Sequence, residues 1–175
     1  MMGIEAKEVP HTALLARYVQ RPGCYTDAFM CRVRGDISLA RFVAAFYTTP
    51  LFRLERGVLR VLLARRSTDR QAHALGAGDA DSFAVWWMEA RTADQLLLCD
   101  LSGRTRSWFM VVPRDGATQL WFGSAVVPPG AGIGTPTALA RSPQRSRVLA
   151  LLLAPHRIYS RALLASAARR INAPG

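Results

Sequence analysis

A chain of 175 residues, half of them hydrophobic and 20% charged, has the size and composition of one globular domain, which excludes a disordered tail. The formal net charge is +11, and it is uneven: 13 basic residues face 11 acids up to residue 100, whereas 10 face only Asp115 beyond it. Such asymmetry suits an anionic partner surface. However, 22 of the 23 basic residues are arginine, a bias that drift in composition can produce, and no RNA- or DNA-binding module is matched, so nucleic acid is not an expected partner.

The three cysteines, Cys24, Cys31 and Cys99, are odd in number and lack CxxC or Cys/His spacing, which predicts reduced thiols in a cytoplasmic protein and no zinc. The N-terminus is mixed polar, with Glu5, Lys7, Glu8 and His11, so no secretory signal is expected. The run Val148 to Ala154 is far short of the ~20 apolar residues a membrane span needs. A soluble protein with no transmembrane segment is the expectation.

In chain order, residues 1–23 read as a polar N-terminal arm with a short helix near Thr12–Gln20, and residues 24–172 as a single domain. Tyr25 to Val33 alternates as a first strand, ended by Arg34-Gly35-Asp36. Ser38 is placed to cap a helix through Tyr47, with Leu39, Phe42, Val43 and Phe46 on one face. Pro50 ends it, and a second helix is predicted over Leu51 to Ala64. The period then changes to two, which predicts strands at Gln71–Gly76, Ser82–Arg91, Gln95–Leu101, Arg104–Pro113 and Thr118–Val127, bounded by Gly, Asp or Pro. Their short connections make hairpins, so the sheet should be antiparallel. Pro128 to Arg141 reads as a flexible loop, of a length common in lids. Ser142-Pro143 starts a last helix that runs to about Ile171 and should kink at Pro155.

Strand, two helices, an antiparallel meander and one long terminal helix make an α+β fold. The economical arrangement is a curved sheet wrapped around the C-terminal helix with a cleft between them. This order resembles the START-like, or helix-grip, superfamily of birch-pollen-allergen-like proteins, lipid-transfer domains and polyketide cyclases. The strings CYTDAF (24–29), AFYTTPLFRLER (45–56), DQLLLCDLSGRTRSWF (94–109), LWFGSAVVP (120–128) and HRIYSRALL (156–164) are similar to a bacterial branch of it, a domain of unknown function. The resemblance implies a hydrophobic pocket between sheet and helix; it transfers no catalytic residue.

At 100° per residue, Leu149, Leu153, His156, Ser160, Leu163 and Ala167 share one stripe of the last helix, with Tyr159 at its edge, while Arg157, Arg161 and Arg169 fall away. His156 is therefore expected to face the cleft, either as an acid, base or ligand-binding group or as a hydrogen-bonded core histidine. In Ser82–Arg91 both faces are apolar, which expects each to be covered by helix, loop or a second copy in a homodimer; Glu89 is the odd member beside Trp87. In Gly103–Phe109, Arg104, Arg106 and Trp108 share one face, and Thr105, Ser107 and Phe109 the other. Two readings stand for these arginines. They line the wet face, with Asp100 pairing to Arg104 if the turn has three residues and facing Thr105 if it has two. Alternatively, Arg106 enters the cavity with Glu89 or Asp100 as counter-charge, because an unpaired buried guanidinium costs several kcal/mol.

No GxxxxGK loop is present, GAGIG (130–134) follows Pro128-Pro129 instead of a strand, and no nucleophile elbow exists, so no cofactor is expected. The function expected is binding of a small, largely apolar ligand, acidic-headed where Arg106 enters the cavity, at a site lined by Arg106, Trp87, Phe109, Phe122, Tyr159 and His156. The alternative is a cofactor-independent cyclase or isomerase in the same cavity, with His156 and Glu89 or Asp100 as acid–base pair. A third class is a protein whose basic C-terminal half docks on an anionic surface.

Overall fold

The computed structural model of the chain describes residues 3–50, 52, 68–128 and 143–173, with side chains from residue 157 onward in the last stretch. It has an α+β architecture built on a seven-stranded antiparallel sheet. The strands are β1 (Glu5–Lys7), β2 (Tyr25–Arg34), β3 (Ser82–Phe83), β4 (Trp86–Arg91), β5 (Gln95–Asp100), β6 (Thr105–Arg114) and β7 (Ala117–Val126), in the order β1-β2-β7-β6-β5-β4-β3. The helices are α1 (Ala16–Val19), α2 (Leu39–Tyr47), α3 (Asp69–Ala77) and α4 (Pro143–Asn172). The meander β3 to β7 is closed by β2, which pairs along its whole length with β7, from Tyr25 opposite Val126 to Arg34 opposite Ala117.

Local chemistry explains most element ends. Ser38 caps α2 by accepting from the Arg41 N–H at 3.2 Å, and the Thr48 hydroxyl closes its other end by donating to the Ala44 carbonyl at 2.7 Å. The expected strand Gln71–Gly76 is instead helix α3. Thr68 and Gln71 form a reciprocal capping box at its start, and Gly78, at φ +92°, takes the left-handed conformation that stops it. Its buried residues Ala72, Leu75 and Gly76 have helical spacing, which the alternation in this short segment masked. The expected single strand Ser82–Arg91 is broken into β3 and β4 at Ala84, where φ is +54°. An edge strand, β1, occurs within the arm where only a helix was predicted; that helix is the short α1. Most of the helix predicted over Leu51–Ala64, and the loop Pro128–Arg141 beyond its first residue, lie outside the described residues.

Both faces of the sheet are covered. On the inner face, Phe42, Phe46, Tyr47 and Phe52 pack with Phe83, Phe109 and Phe122, with ring centroids between 4.6 and 6.4 Å apart. Leu163, Leu164, Ala167, Ala168 and Ile171 of α4 join this core. Arg157, Arg161 and Arg169 are exposed, so residues 157–172 follow the predicted stripe. On the outer face, Ala13, Leu15 and Tyr18 of the N-terminal segment cover Ala28, Leu97, Trp108, Met110, Ala125 and Val127. Each fully buried large side chain stabilises by roughly 1.5–3 kcal/mol. Among the described residues no helix is long and apolar enough to cross a membrane.

Candidate functional site

Strand register sorts the inner face into rows, because directly opposed residues point the same way. Cys31, Leu120 and Val111 form one row, and Phe29, Phe122, Phe109 and Leu96 the next. Two residues further along, the pattern turns polar: Asp27 lies opposite Ser124, which lies opposite Ser107, and beyond them Tyr25, Val126 and Thr105 complete the edge. Asp27, Ser124 and Ser107 are all buried, Asp27 being 9% exposed, and the apolar Leu98 opposite Ser107 ends the row.

Asp27 Oδ1 accepts from the Ser124 hydroxyl at 2.6 Å and from the Ser124 backbone N–H at 3.2 Å, and Oδ2 accepts from the Tyr25 hydroxyl at 3.2 Å. Its partners among the described residues are thus all neutral donors. An ionised carboxylate accepts through two oxygens and donates nothing, so among the described residues its hydrogen bonds bring it no counter-charge. Burial, and then the charge of Asp27, push the Tyr25 hydroxyl up to about 12, against a smaller opposing effect of Arg157. Helix α4 packs on β2; its Ser160 is buried, and Tyr159 packs at the margin of the inner core. Cys31, two rows away, is buried, and that burial pushes its thiol up to about 12, which makes it an inert core residue.

On the outer face a second polar group forms around a β-bulge. The β4–β5 register slips between Met88 and Ala90, which turns both Glu89 and Ala90 outward. Glu89 Oε2 then accepts from Arg106 Nε at 2.6 Å, and Oε1 accepts from the Tyr18 hydroxyl at 2.6 Å. Arg106 also donates to the Tyr18 oxygen at 3.0 Å and to the Gly103 carbonyl at 2.6 Å. Burial opposes the charge on Arg106, but the Tyr18 hydrogen bond and the Glu89 charge outweigh it and its pKa is raised. Burial, followed by the bond to Glu89, also raises the Tyr18 pKa. Gln95 adds a neutral clasp nearby: its Oε1 accepts from Leu14 N–H and Trp108 Nε1, each at 2.9 Å. These groups satisfy one another and tie the N-terminal segment to the sheet.

The predicted site residues therefore divide. Phe109, Phe122 and Tyr159 lie with the inner core. Arg106 has Glu89 as its counter-charge, one of the two partners the sequence suggested, but the pair is on the face away from α4. Trp87, opposite Cys99, is on that same outer face and is 44% exposed. Asp100 organises the hairpin: its Oδ1 accepts from the Arg104 and Thr105 N–H groups at 2.9 Å each, and the register running to Cys99–Arg106 places it opposite Thr105 instead of Arg104. His156 belongs to α4, but its side chain lies outside the described residues. Glu89 is on the outer face, whereas Asp100 ends the inner-face row of Trp86 and Thr105 with its carboxylate bound to the hairpin backbone.

Alternation groups Ser107 with Phe109, and Tyr25 and Asp27 fall in the string CYTDAF, but no local pattern joins Asp27, Ser124 and Ser107 into one row. What they share is a spacing: Asp27-x-Phe29, Ser107-x-Phe109 and Phe122-x-Ser124 each place a polar residue two from an inward aromatic. Among the described residues there is no His, Cys, Asp or Glu cluster able to hold a metal ion. Compared with family models, curated proteins and solved structures, the chain matches none of them.

Proposed function

We propose that the protein binds a small, largely apolar molecule between the inner sheet face and the C-terminal helix, with Asp27 as the polar anchor. The observation that carries this reading is a buried carboxylate, held by neutral donors, at the border between an aromatic core and a polar row. A buried charge of this kind is costly, and a ligand bringing a hydroxyl or ammonium donor offsets that cost. The acid-headed ligand considered from sequence rested on Arg106, whose guanidinium is matched by Glu89 on the other face. Membership of the START-like superfamily is part of the same proposal. It is supported by the packing of α4 on an antiparallel sheet and by the sequence strings that suggested it.

Native mass spectrometry of protein purified without denaturant from its own cells tests the reading. A bound small molecule is expected on the wild type and absent from Asp27→Asn, with unchanged circular dichroism in both. A wild type with no bound mass, and no thermal stabilisation by a total lipid and small-molecule extract of those cells, would overturn it.

A second reading makes the same carboxylate a general base, without a cofactor. It is favoured by the run of donors from Tyr25 and Ser124 to Asp27. Incubating the extract with wild type and with Asp27→Asn separates it from simple binding: a compound consumed only by the wild type supports catalysis.

A further inference from the structure

A cleft of about 450 Å³ opens between α2, α3 and the end of α4, away from the Asp27 row. Its floor is made of small residues, among them Ala44 and Ala77, because α2 and α3 approach closely. Gly76 permits that approach: a Cβ there would lie 2.7 Å from the Ala40 carbonyl oxygen. Each of the three helices sends one basic side chain to the cleft: Arg41 from α2, His73 from α3 and Arg170 from α4. No acidic residue lines it among the described residues.

Two effects offset this positive charge in part. The ends of α3 and α4 present carbonyls carrying roughly −0.5 charge each, and one guanidinium nitrogen of Arg41 donates to the Ile171 carbonyl at 3.2 Å. Two permanent guanidinium charges exceed the two half-charges. Arg41 also sits in the first turn of α2, where the helix dipole disfavours a cation and which holds no acidic residue. The surplus is positive, the walls are apolar, and the size is that of a small-molecule pocket.

We infer that this cleft is a second binding site, for a small organic monoanion: a carboxylate with a compact apolar body. Its carboxylate contacts Arg41 and Arg170, and its body lies on the alanine floor beside His73. The site is independent of Asp27, so it stands whether or not the proposed function does.

Benzoate is a suitable probe, and the His73 ring resonances report on this cleft alone. Titration of benzoate into isotopically labelled protein should give a saturable shift at His73, while benzyl alcohol, the neutral counterpart, should give none. Arg41→Gln combined with Arg170→Gln should weaken the affinity by roughly tenfold, a change of about 1.4 kcal/mol. Asp27→Asn should leave it unchanged. Should the double variant fail to fold, Arg170→Gln alone, which replaces an exposed side chain, should weaken it severalfold. Absence of a saturable shift, an equal shift with benzyl alcohol, affinity untouched by loss of the arginines, or affinity lost in Asp27→Asn would each overturn the inference.

Discussion

The two faces of the sheet are built from alternating residues of the same strands, yet they handle buried polar groups in opposite ways. On the outer face the charges are matched: Glu89 meets Arg106 and Tyr18, and Gln95 satisfies Trp108 and Leu14. On the inner face Asp27 has only hydroxyl and amide donors among the described residues. Matched charges hold a covering segment in place. A buried carboxylate that has only neutral partners among the described residues, beside an aromatic core, is the feature on which the proposed binding site rests.

The largest expected effects come from neighbouring residues on opposite faces. Phe109→Ala and Trp108→Ala should each cost about 3–5 kcal/mol in urea unfolding, since both side chains are fully buried. They should differ in kind: Trp108→Ala also frees Gln95 and should speed proteolysis of the N-terminal segment, whereas Phe109→Ala should leave that segment covered.

Gly123→Ala should follow, at about 1–3 kcal/mol. A Cβ there would meet the Asp27 carbonyl oxygen at 2.7 Å and Leu15 and Trp108 at 2.9 Å each. The glycine lets the N-terminal segment seat closely on the outer face.

Glu89→Gln should cost about 1–3 kcal/mol by removing the charge that faces Arg106, in a pair whose side chains are 13% and 15% exposed. Limited proteolysis should then cut the segment around residues 9–24, and binding at the inner row should be unaffected. Loss of inner-row binding in this variant would mean the two faces are not separate in function.

A smaller effect should appear with alkali, and it belongs chiefly to the inner face. Cys31 and Tyr25 have folded pKa values raised to about 12 from 9.0 and 10.0. Raised values mean the stabilisation is complete below the unfolded pKa and is lost as pH climbs through the folded one. Melting temperature should therefore fall from about pH 9 towards pH 12, and Cys31→Ala should delay the first part of that fall.

Much of the fold was legible because its signals are local and periodic. The alternation of Tyr25–Val33 and Thr118–Val127, the Ser38 cap and the stripe of Leu163 and Ala167 all follow from near neighbours. The segment Gln71–Gly76 misled because six residues satisfy either period, while its deciding feature, the Thr68–Gln71 capping box, begins outside it. The site was less legible for a different reason. Arg106 and Glu89 could be paired as opposite charges, but their face depends on the Glu89 bulge, which strict alternation does not contain. The Asp27 row exists only through register across β2, β7 and β6, strands that are distant in sequence.

The most direct test of the inner row is the unfolding free energy of Asp27→Asn beside the wild type, both refolded from urea to strip any bound molecule and measured at pH 7. Asparagine keeps the oxygen that accepts from Ser124 and removes the unmatched charge. The variant should be as stable as the wild type or up to about 1–2 kcal/mol more stable, as expected when a charge kept for binding is neutralised. A loss of more than about 2 kcal/mol would show that the carboxylate is a structural tie between β2 and β7, and would contradict its assignment as the anchor of a binding site.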